Sequence, residues 1–268
     1  MSPGKQLRDF TSANRVAWNE SESEHREARF AMLWEKGADP EYLYLSDLEI
    51  AMFRQLNIAG KSVVQLACNN GRETISLRRL GAARAVGFDI SLAFIEQGHE
   101  LAAIAGVECE LVDSDVYDIP FSYDGQFDIV FVSVGALMLM PDLKPFMSVA
   151  RRLLAEGGRI FLYERHPMLD MFDWNDPDDP PKLTSSYFDT EPRKNEEVCN
   201  YWTKATYTCA PMYTFHHKLS DVVSALLGNG FVIEHFEEYA HDVSEMYIRF
   251  ESLNIKPPLC YTLVAAAR

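Results

Sequence analysis

The sequence predicts an α/β chain built on a doubly wound, mostly parallel sheet of seven strands, with an antiparallel edge and a helical and loop cap. Three observations carry that expectation. From about Lys61, short β-branched runs alternate with amphipathic stretches, the order that puts helices on both faces of a sheet. The runs are nearly continuously apolar, as strands buried on both faces must be. The alternation then fails near the C-terminus, where one helix is followed by two strands joined by a short non-periodic link. That closing pair implies an antiparallel edge.

Taken in order, residues 12–34 and 41–56 read as helices, the second opened by Asp39 as N-cap and Pro40 at the first helical position. Residues 62–68 (SVVQLAC) read as the first strand, and 72–80 as a helix ended by Gly81. Residues 85–90 (AVGFDI) form the second strand, 92–105 a helix, 107–112 the third strand and 127–134 (FDIVFVSV) the fourth. Residues 142–155 place Leu143, Phe146, Val149, Ala150, Leu153 and Leu154 on one helical face. Gly157-Gly158 should stop that helix, and 159–164 (RIFLYE) make the fifth strand. A helix at 219–227 and strands at 231–239 and 259–267 complete the sheet. Between the fifth strand and the last helix, 167–215 is turn-rich and carries Phe172, Trp174, Tyr187, Phe188, Tyr201, Trp202, Tyr207, Tyr213 and Phe215. So long an insertion in a compact domain is usually functional or disordered, and its aromatic load favours function. With the N-terminal helices it reads as a cap over the carboxyl edge of the sheet.

Composition narrows the possible partners. The 268 residues carry 25 Lys+Arg against 40 Asp+Glu, a formal net charge of −15. An anionic surface repels phosphate backbones, so nucleic acid is a poor substrate. Arg78-Arg79 and Arg151-Arg152 fall in predicted helices and read as solvated faces. The cysteines, at 68, 109, 199, 209 and 260, show neither zinc nor disulfide spacing. The first residues lack an apolar signal core, and no apolar run reaches membrane length. The expectation is a cytoplasmic protein acting on a small molecule, away from membranes, as a monomer or homodimer.

In open α/β sheets, ligands bind beyond the carboxyl ends of the strands, at the switch point. The turn after the first strand runs Ala67-Cys68-Asn69-Asn70-Gly71. Small residues at 67 and 71 admit close backbone approach, and Asn69 tolerates a left-handed conformation. The second strand ends in Asp89, the usual place for an acid that grips ribose hydroxyls. Beyond the third strand lie Asp113, Asp115 and Asp118, any one of which can accept from an adenine amino group.

The ordered blocks VQLACNNGRET, GFDIS, DVYDIP, FDIVFVSVGAL and LLAEGGRIFL resemble the class I S-adenosylmethionine-dependent methyltransferases from about residue 62 to 164. The chain is also similar to a little-characterised bacterial branch in which a Gln-Leu first motif lacks the full glycine set. That branch shares an Asn-Arg-x-x-Trp-Asn at 14–19, a Glu-x-His-Pro at 164–167 and a Tyr-Phe-Asp at 187–189. The resemblance implies a Rossmann-like fold in which 1–60 cover the cofactor site of a 61–268 domain, with 167–215 inserted as a cap. It implies S-adenosylmethionine as cofactor. Ala67, Asn69 and Gly71 would line its methionine and ribose portion, and Asp89 would bind the ribose hydroxyls. Ile90 would pack on the adenine, Asp115 would accept from its amino group, and the Val116 N–H would reach the ring. Ser133 and Gly135 would face the methionine part and the transferable methyl. Most of the family carries an acid where Gln65 stands, and glycines at 67 and 69; Gln65 removes a charge near the cofactor's ammonium.

Methyl transfer to oxygen or to a protonated amine also needs a proton acceptor. His166 follows the fifth strand directly and should sit over the switch region, although a turn before Pro167 also suits a structural histidine. His217, beside His216 ahead of the last helix, either faces the cap or caps the helix. Glu164 and Asp189 are further carboxylate candidates. His25 and Trp18 lie on the N-terminal helix, where packing is the commoner role. Two other readings compete with an O- or N-methyltransferase. A nicotinamide oxidoreductase would want a G-x-G-x-x-G turn and gives Asp115 no role. A non-catalytic S-adenosylmethionine-binding or regulatory protein is compatible with the altered first turn.

Overall fold

The side chains of a central strand alternate between two buried faces, and that alternation organises the structure. The computed structural model describes residues 3–173, 181–200 and 203–268. Helices α1 (Pro3–Gly37) and α2 (Asp47–Gln55) precede β1 (Ser62–Leu66), α3 (Arg72–Arg79), β2 (Arg84–Asp89), α4 (Leu92–Ala105) and β3 (Glu110–Asp113). Then come β4 (Phe127–Val132), α5 (Leu143–Leu153), β5 (Leu154–Arg165) and a hairpin of β6 (Arg193–Cys199) with β7 (Thr206–Thr214). Helix α6 (Leu219–Gly228), β8 (Phe231–Tyr239) and β9 (Cys260–Ala267) finish the chain. The main sheet has the order β3-β2-β1-β4-β5-β9-β8. All neighbours from β3 to β5 pair parallel, and β9 runs antiparallel to both β5 and β8. The antiparallel edge expected from the closing strands is present.

On one face, Val64, Leu66, Val86, Val130, Val132 and Ile160 pack with Phe146, Met147 and Ala150 of α5 and Leu226 of α6. On the other, Val63, Ile129, Phe131 and Phe161 pack with Met52 and Phe53 of α2 and Leu77 of α3. The Phe53 ring meets Phe131 and Phe161 edge-on at 5.0 and 5.2 Å, a favourable aromatic arrangement. Among the described residues, no helix is long and apolar enough to cross a membrane.

Several elements differ from expectation. Helix α2 starts at Asp47, not after Pro40. Ser46 accepts from the Glu49 N–H while the Glu49 carboxylate accepts from the Ser46 N–H, a capping box that fixes the start. The residues before it are held as a turn: Arg79 donates to the carbonyls of Gly37, Asp39, Tyr42 and Ala105. Arg79 is thus a structural clamp, not a solvated charge, and Arg152 likewise donates to Asp124 and the Ile119 carbonyl. Residues 154–158 belong to β5 instead of ending a helix. Leu154 pairs with Phe127 across a register shift, and a Cβ on Gly158 would lie 3.1 Å from the Phe127 carbonyl oxygen, so glycine serves close strand approach there.

The insertion contains the β6–β7 hairpin, which sequence periodicity did not predict. It docks on α1, not on the sheet. Ala17 packs with Cys209 and Met212, and the Asn14 amide donates to the Tyr213 carbonyl (2.9 Å) and accepts from its N–H (2.7 Å). Of the aromatics noted above, Trp174, Tyr201 and Trp202 lie outside the described residues. Phe188 is exposed.

Candidate functional site at the carboxyl ends of the strands

The loop after β1 leaves the sheet through three left-handed residues, Ala67 (φ 55°), Asn69 (φ 52°) and Gly71 (φ 65°). Glycine suits 71 because the conformation is left-handed and a Cβ there would lie 2.6 Å from the Leu111 side chain, which would have to shift. The turn aims the Asn69 N–H at Asp89, whose carboxylate accepts it at 2.7 Å and the Ser91 N–H at 2.9 Å. Burial pushes the Asp89 carboxyl up to about 6, against the pull of those amide donors. Ile90, the next residue, is half-buried.

The three acids beyond β3 separate by partner. Arg15 and Arg8 of α1 pair with Asp113 and Asp118. Asp115 is buried and caps the following 3₁₀ turn through the Tyr117 N–H (3.0 Å). The Val116 side chain is part of the main core. Asp89 and Asp113 are register partners on β2 and β3, which puts Asp89 and Asp115 at the same edge of neighbouring strands.

At the ends of β1 and β4 lies a buried polar network that the first motif hid. Gln65 has no exposed surface. Its carbonyl accepts from the Thr74 hydroxyl (2.7 Å), and its amide donates to Ser133 Oγ at 3.1 Å and lies 3.5 Å from Glu73 Oε2. Arg72 Nε donates to the other Glu73 oxygen at 2.7 Å. Above this pair is α1, whose His25 ring packs against Trp18 and Phe94, with Nε2 3.3 Å from the Tyr207 hydroxyl of β7. Burial, and then the Arg72 charge, lower His25 to about 4, so the ring is neutral.

Past β4 the chain turns through Gly135 (φ 89°). Glu164, at the end of β5, accepts from the N–H groups of Gly135 (2.9 Å) and Leu137 (2.8 Å). Burial raises its carboxyl to about 7, with the two amides pulling the other way. Glu164 lines a cleft with Arg165, Asp170, Phe215, His217 and Tyr261. Burial of Asp170 opposes its ionisation, yet the Arg165 and His216 partners hold it down to about 2. A larger hollow between α2 and the β8–β9 edge, bordered by Arg159 and Glu234, lies on the far side of β5 from these groups.

The histidines divide between the alternatives that the sequence left open. His166 does not line the cleft. Its Nδ1 accepts from the Met168 N–H (3.1 Å) and holds the turn, while the buried Nε2 lies 2.9 Å from Glu238 of β8 without hydrogen-bond geometry. His217 lines the cleft and does not cap α6. Its Nε2 is 2.7 Å from the Met140 carbonyl, which can only accept, so the hydrogen sits on Nε2 and Nδ1 keeps its lone pair. His216 bridges Asp170 and the Tyr187 carbonyl. Asp189 stands on an exposed turn, accepting from the Glu191 N–H. Arg72 and Glu73 stand in the first block of the sequence but received no role, because they read there as the first turn of an ordinary helix.

The strand order, with its reversal between β1 and β4, defines the class: a Rossmann-like α/β protein with its ligand crevice at the carboxyl ends of the central strands. Residues 63–158 match the family model for a methyltransferase domain. An uncharacterised protein of Haemophilus influenzae is 22% identical over 76% of this chain and 81% of its own length. The ribosomal protein L11 methyltransferase of Neisseria meningitidis is 30% identical over 52% of this chain, which spans only 41% of that enzyme. Among solved structures, the Streptomyces coelicolor geranyl diphosphate C-methyltransferase, bound to S-adenosylhomocysteine, has the same fold (TM-score 0.60, 13% identity, 97% of this chain and 98% of that one). Residues 63–158 therefore form a methyltransferase domain on the fold of the S-adenosylmethionine-dependent enzymes, and S-adenosylmethionine is the cofactor such a domain uses. The residues at the crevice suit that cofactor: a buried carboxylate beside a left-handed backbone turn for a ribose, and further buried carboxylates for groups that donate hydrogen bonds.

Proposed function

We propose that this methyltransferase acts on an oxygen or nitrogen of a small-molecule acceptor, held beneath a cover made of residues 1–60 and the 167–215 insertion. The observation that carries this reading is the docking of β7 on α1 above the switch point, through Asn14, Ala17 and Met212. A roof made by two segments so far apart in sequence suits a small ligand better than a protein or RNA surface. The fold neighbour named for geranyl diphosphate methylation also acts on a small molecule, whereas the Neisseria relative is named for a ribosomal protein. The net charge of −15 weighs against RNA.

In this reading Ala67, Asn69 and Gly71 present backbone to the cofactor, and Asp89 takes the ribose hydroxyls. Ile90 lies against the adenine, Asp115 and the Val116 N–H read its edge, and Ser133 and Gly135 border the methyl-bearing end. The cofactor supplies an already activated sulfonium methyl. The protein's task is to align an acceptor atom, an effect worth roughly 7–11 kcal/mol for well-oriented reactants. His217 Nδ1, in the cleft with its lone pair available, takes the acceptor proton, and His166 supports the turn after β5. The site belongs to a cytoplasmic monomer or homodimer.

Incubating the protein with methyl-tritiated cofactor and a fractionated cell extract tests the acceptor class. Label is expected in the fraction below about 1 kDa. Label confined to protein or RNA would overturn the small-molecule reading while leaving the family intact.

A further inference from the structure

The buried network at the ends of β1 and β4 contains a carboxylate whose hydrogen bonding is lopsided. Glu73 is only 9% exposed. One of its oxygens receives a short bond from Arg72 (2.7 Å), but the other, among the described residues, has only the 3.5 Å contact with the Gln65 amide. That distance is at the limit of a hydrogen bond, while a charged donor reaches a carboxylate at about 2.7–2.9 Å. A buried carboxylate oxygen so weakly engaged costs free energy unless a stronger donor arrives. The Gln65 amide is only a neutral, distant donor: one of its hydrogens goes to Ser133 Oγ at 3.1 Å, the other faces Glu73 at 3.5 Å, and its carbonyl accepts from Thr74. The strand position itself is neutral, and the negative charge stands one side chain away on α3.

We infer that Glu73 Oε2 is the seat of the cofactor's α-ammonium group, with Gln65 and Arg72 fixing the carboxylate in place. The inference rests on the assignment of S-adenosylmethionine to this crevice. Its own content is that the charge complementary to the amino-acid end sits on the first turn of α3, at a residue to which the resemblance gave no role. Three features support it. Glu73 lies beside Ser133 and the β4 end, where the methyl-bearing half of the cofactor is proposed to lie. The ammonium is the one strong donor of that half. The Arg72 guanidinium engages only one oxygen edge of Glu73, leaving the other directed toward Gln65 and Ser133. Glu73 is in these terms a binding residue, and Gln65 a positioning residue that holds it by a neutral contact, where a second carboxylate would repel it.

The experiment is a chemical double-mutant cycle read by calorimetry, with no turnover required. S-adenosylhomocysteine, its deaminated analogue and 5′-methylthioadenosine, which lacks the whole amino-acid part, are titrated into the wild type, Glu73→Gln and Gln65→Glu/Glu73→Gln. Wild type should bind S-adenosylhomocysteine at least tenfold more tightly than the deaminated analogue. Glu73→Gln should erase that difference and leave 5′-methylthioadenosine within twofold of wild type. The double variant, which returns the charge to the strand, should restore a preference for the amine. Equal wild-type affinity for the amine and its deaminated analogue overturns the inference, and this arm stands even if the variants fail to fold. Equal losses for all three ligands in Glu73→Gln overturn it too, since they mark a structural role. Failure of the wild type to bind any adenosyl ligand defeats the cofactor assignment and the inference with it, and is distinguishable from both of those results.

Discussion

At the scale of single residues, the site is governed by how burial moves carboxyl groups. Asp89 is pushed up to about 6 by burial, and the amides of Ser91, Asn69 and Ile90 keep it from rising further. Its ionised form accepts from ribose hydroxyls in the role proposed here, so affinity for S-adenosylhomocysteine should be flat above pH 7. It should fall about tenfold per pH unit below 6, the consequence of one proton taken up on losing the ligand-competent form. Calorimetry between pH 5 and 8 checks this, with Asp89→Asn expected to bind weakly and without that pH dependence; a wild-type profile flat down to pH 5 contradicts the role. The two histidines differ for an equally local reason. His166 is fixed in a turn through Nδ1 with Nε2 turned toward Glu238 of β8, whereas His217 is tethered through Nε2 with Nδ1 on the cleft side.

At the scale of elements, the notable joint is between α1 and β7. Asn14 is buried and satisfies both backbone groups of Tyr213, so it completes the hydrogen bonding of a strand outside the main sheet. Asn14→Ala leaves a buried N–H and C=O without that partner, at about 1–3 kcal/mol for each unsatisfied group. Urea denaturation should register a loss of a few kcal/mol, and limited proteolysis should show faster cleavage within 181–215. Unchanged protection of that segment would mean the hairpin holds its place by other contacts. The same joint explains why the hairpin was hidden in the sequence. Its strand β6, RKNEEVC, has charged residues at most positions, because it pairs on a surface layer and not in the core, so the hydrophobic alternation that announces a strand is missing.

At the scale of the whole molecule, the two-faced core sets stability and a few buried ionisable groups set its pH dependence. Glu49, in the α2 capping box, is raised to about 7 by burial, with the Ser46 amide and hydroxyl opposing. A carboxyl whose folded value exceeds its unfolded one keeps its proton longer in the native state. Stability therefore falls as pH rises from about 4.5 to 7 and levels off above. Both Ser46 bonds go to one oxygen, which a glutamine supplies equally well. Glu49→Gln should thus match wild type near pH 4.5 and exceed it by about 3 kcal/mol at pH 8, measured by urea denaturation at each pH. His25, lowered to about 4, gives the opposite slope between 4 and 6.5. It is the same in both proteins and drops out of the difference.

The sequence by itself determined the layered architecture, the succession of the main sheet's strands and helices, and the places where the acids and the small-residue turn fall. The reason is that helix and strand periods and apolar runs are properties of neighbouring residues. Asp89 and the 67–71 turn were legible because strand ends fix them locally. Only the tertiary structure decided that Asp113 and Asp118, but not Asp115, pair with α1, and that β7 rides on that helix. It also decided that His166 faces Glu238 and that Glu73 reaches Gln65 across a helix–strand boundary. Each of these is a contact between segments whose mutual distance no local pattern encodes, and each is fixed by the packing of elements that must first exist.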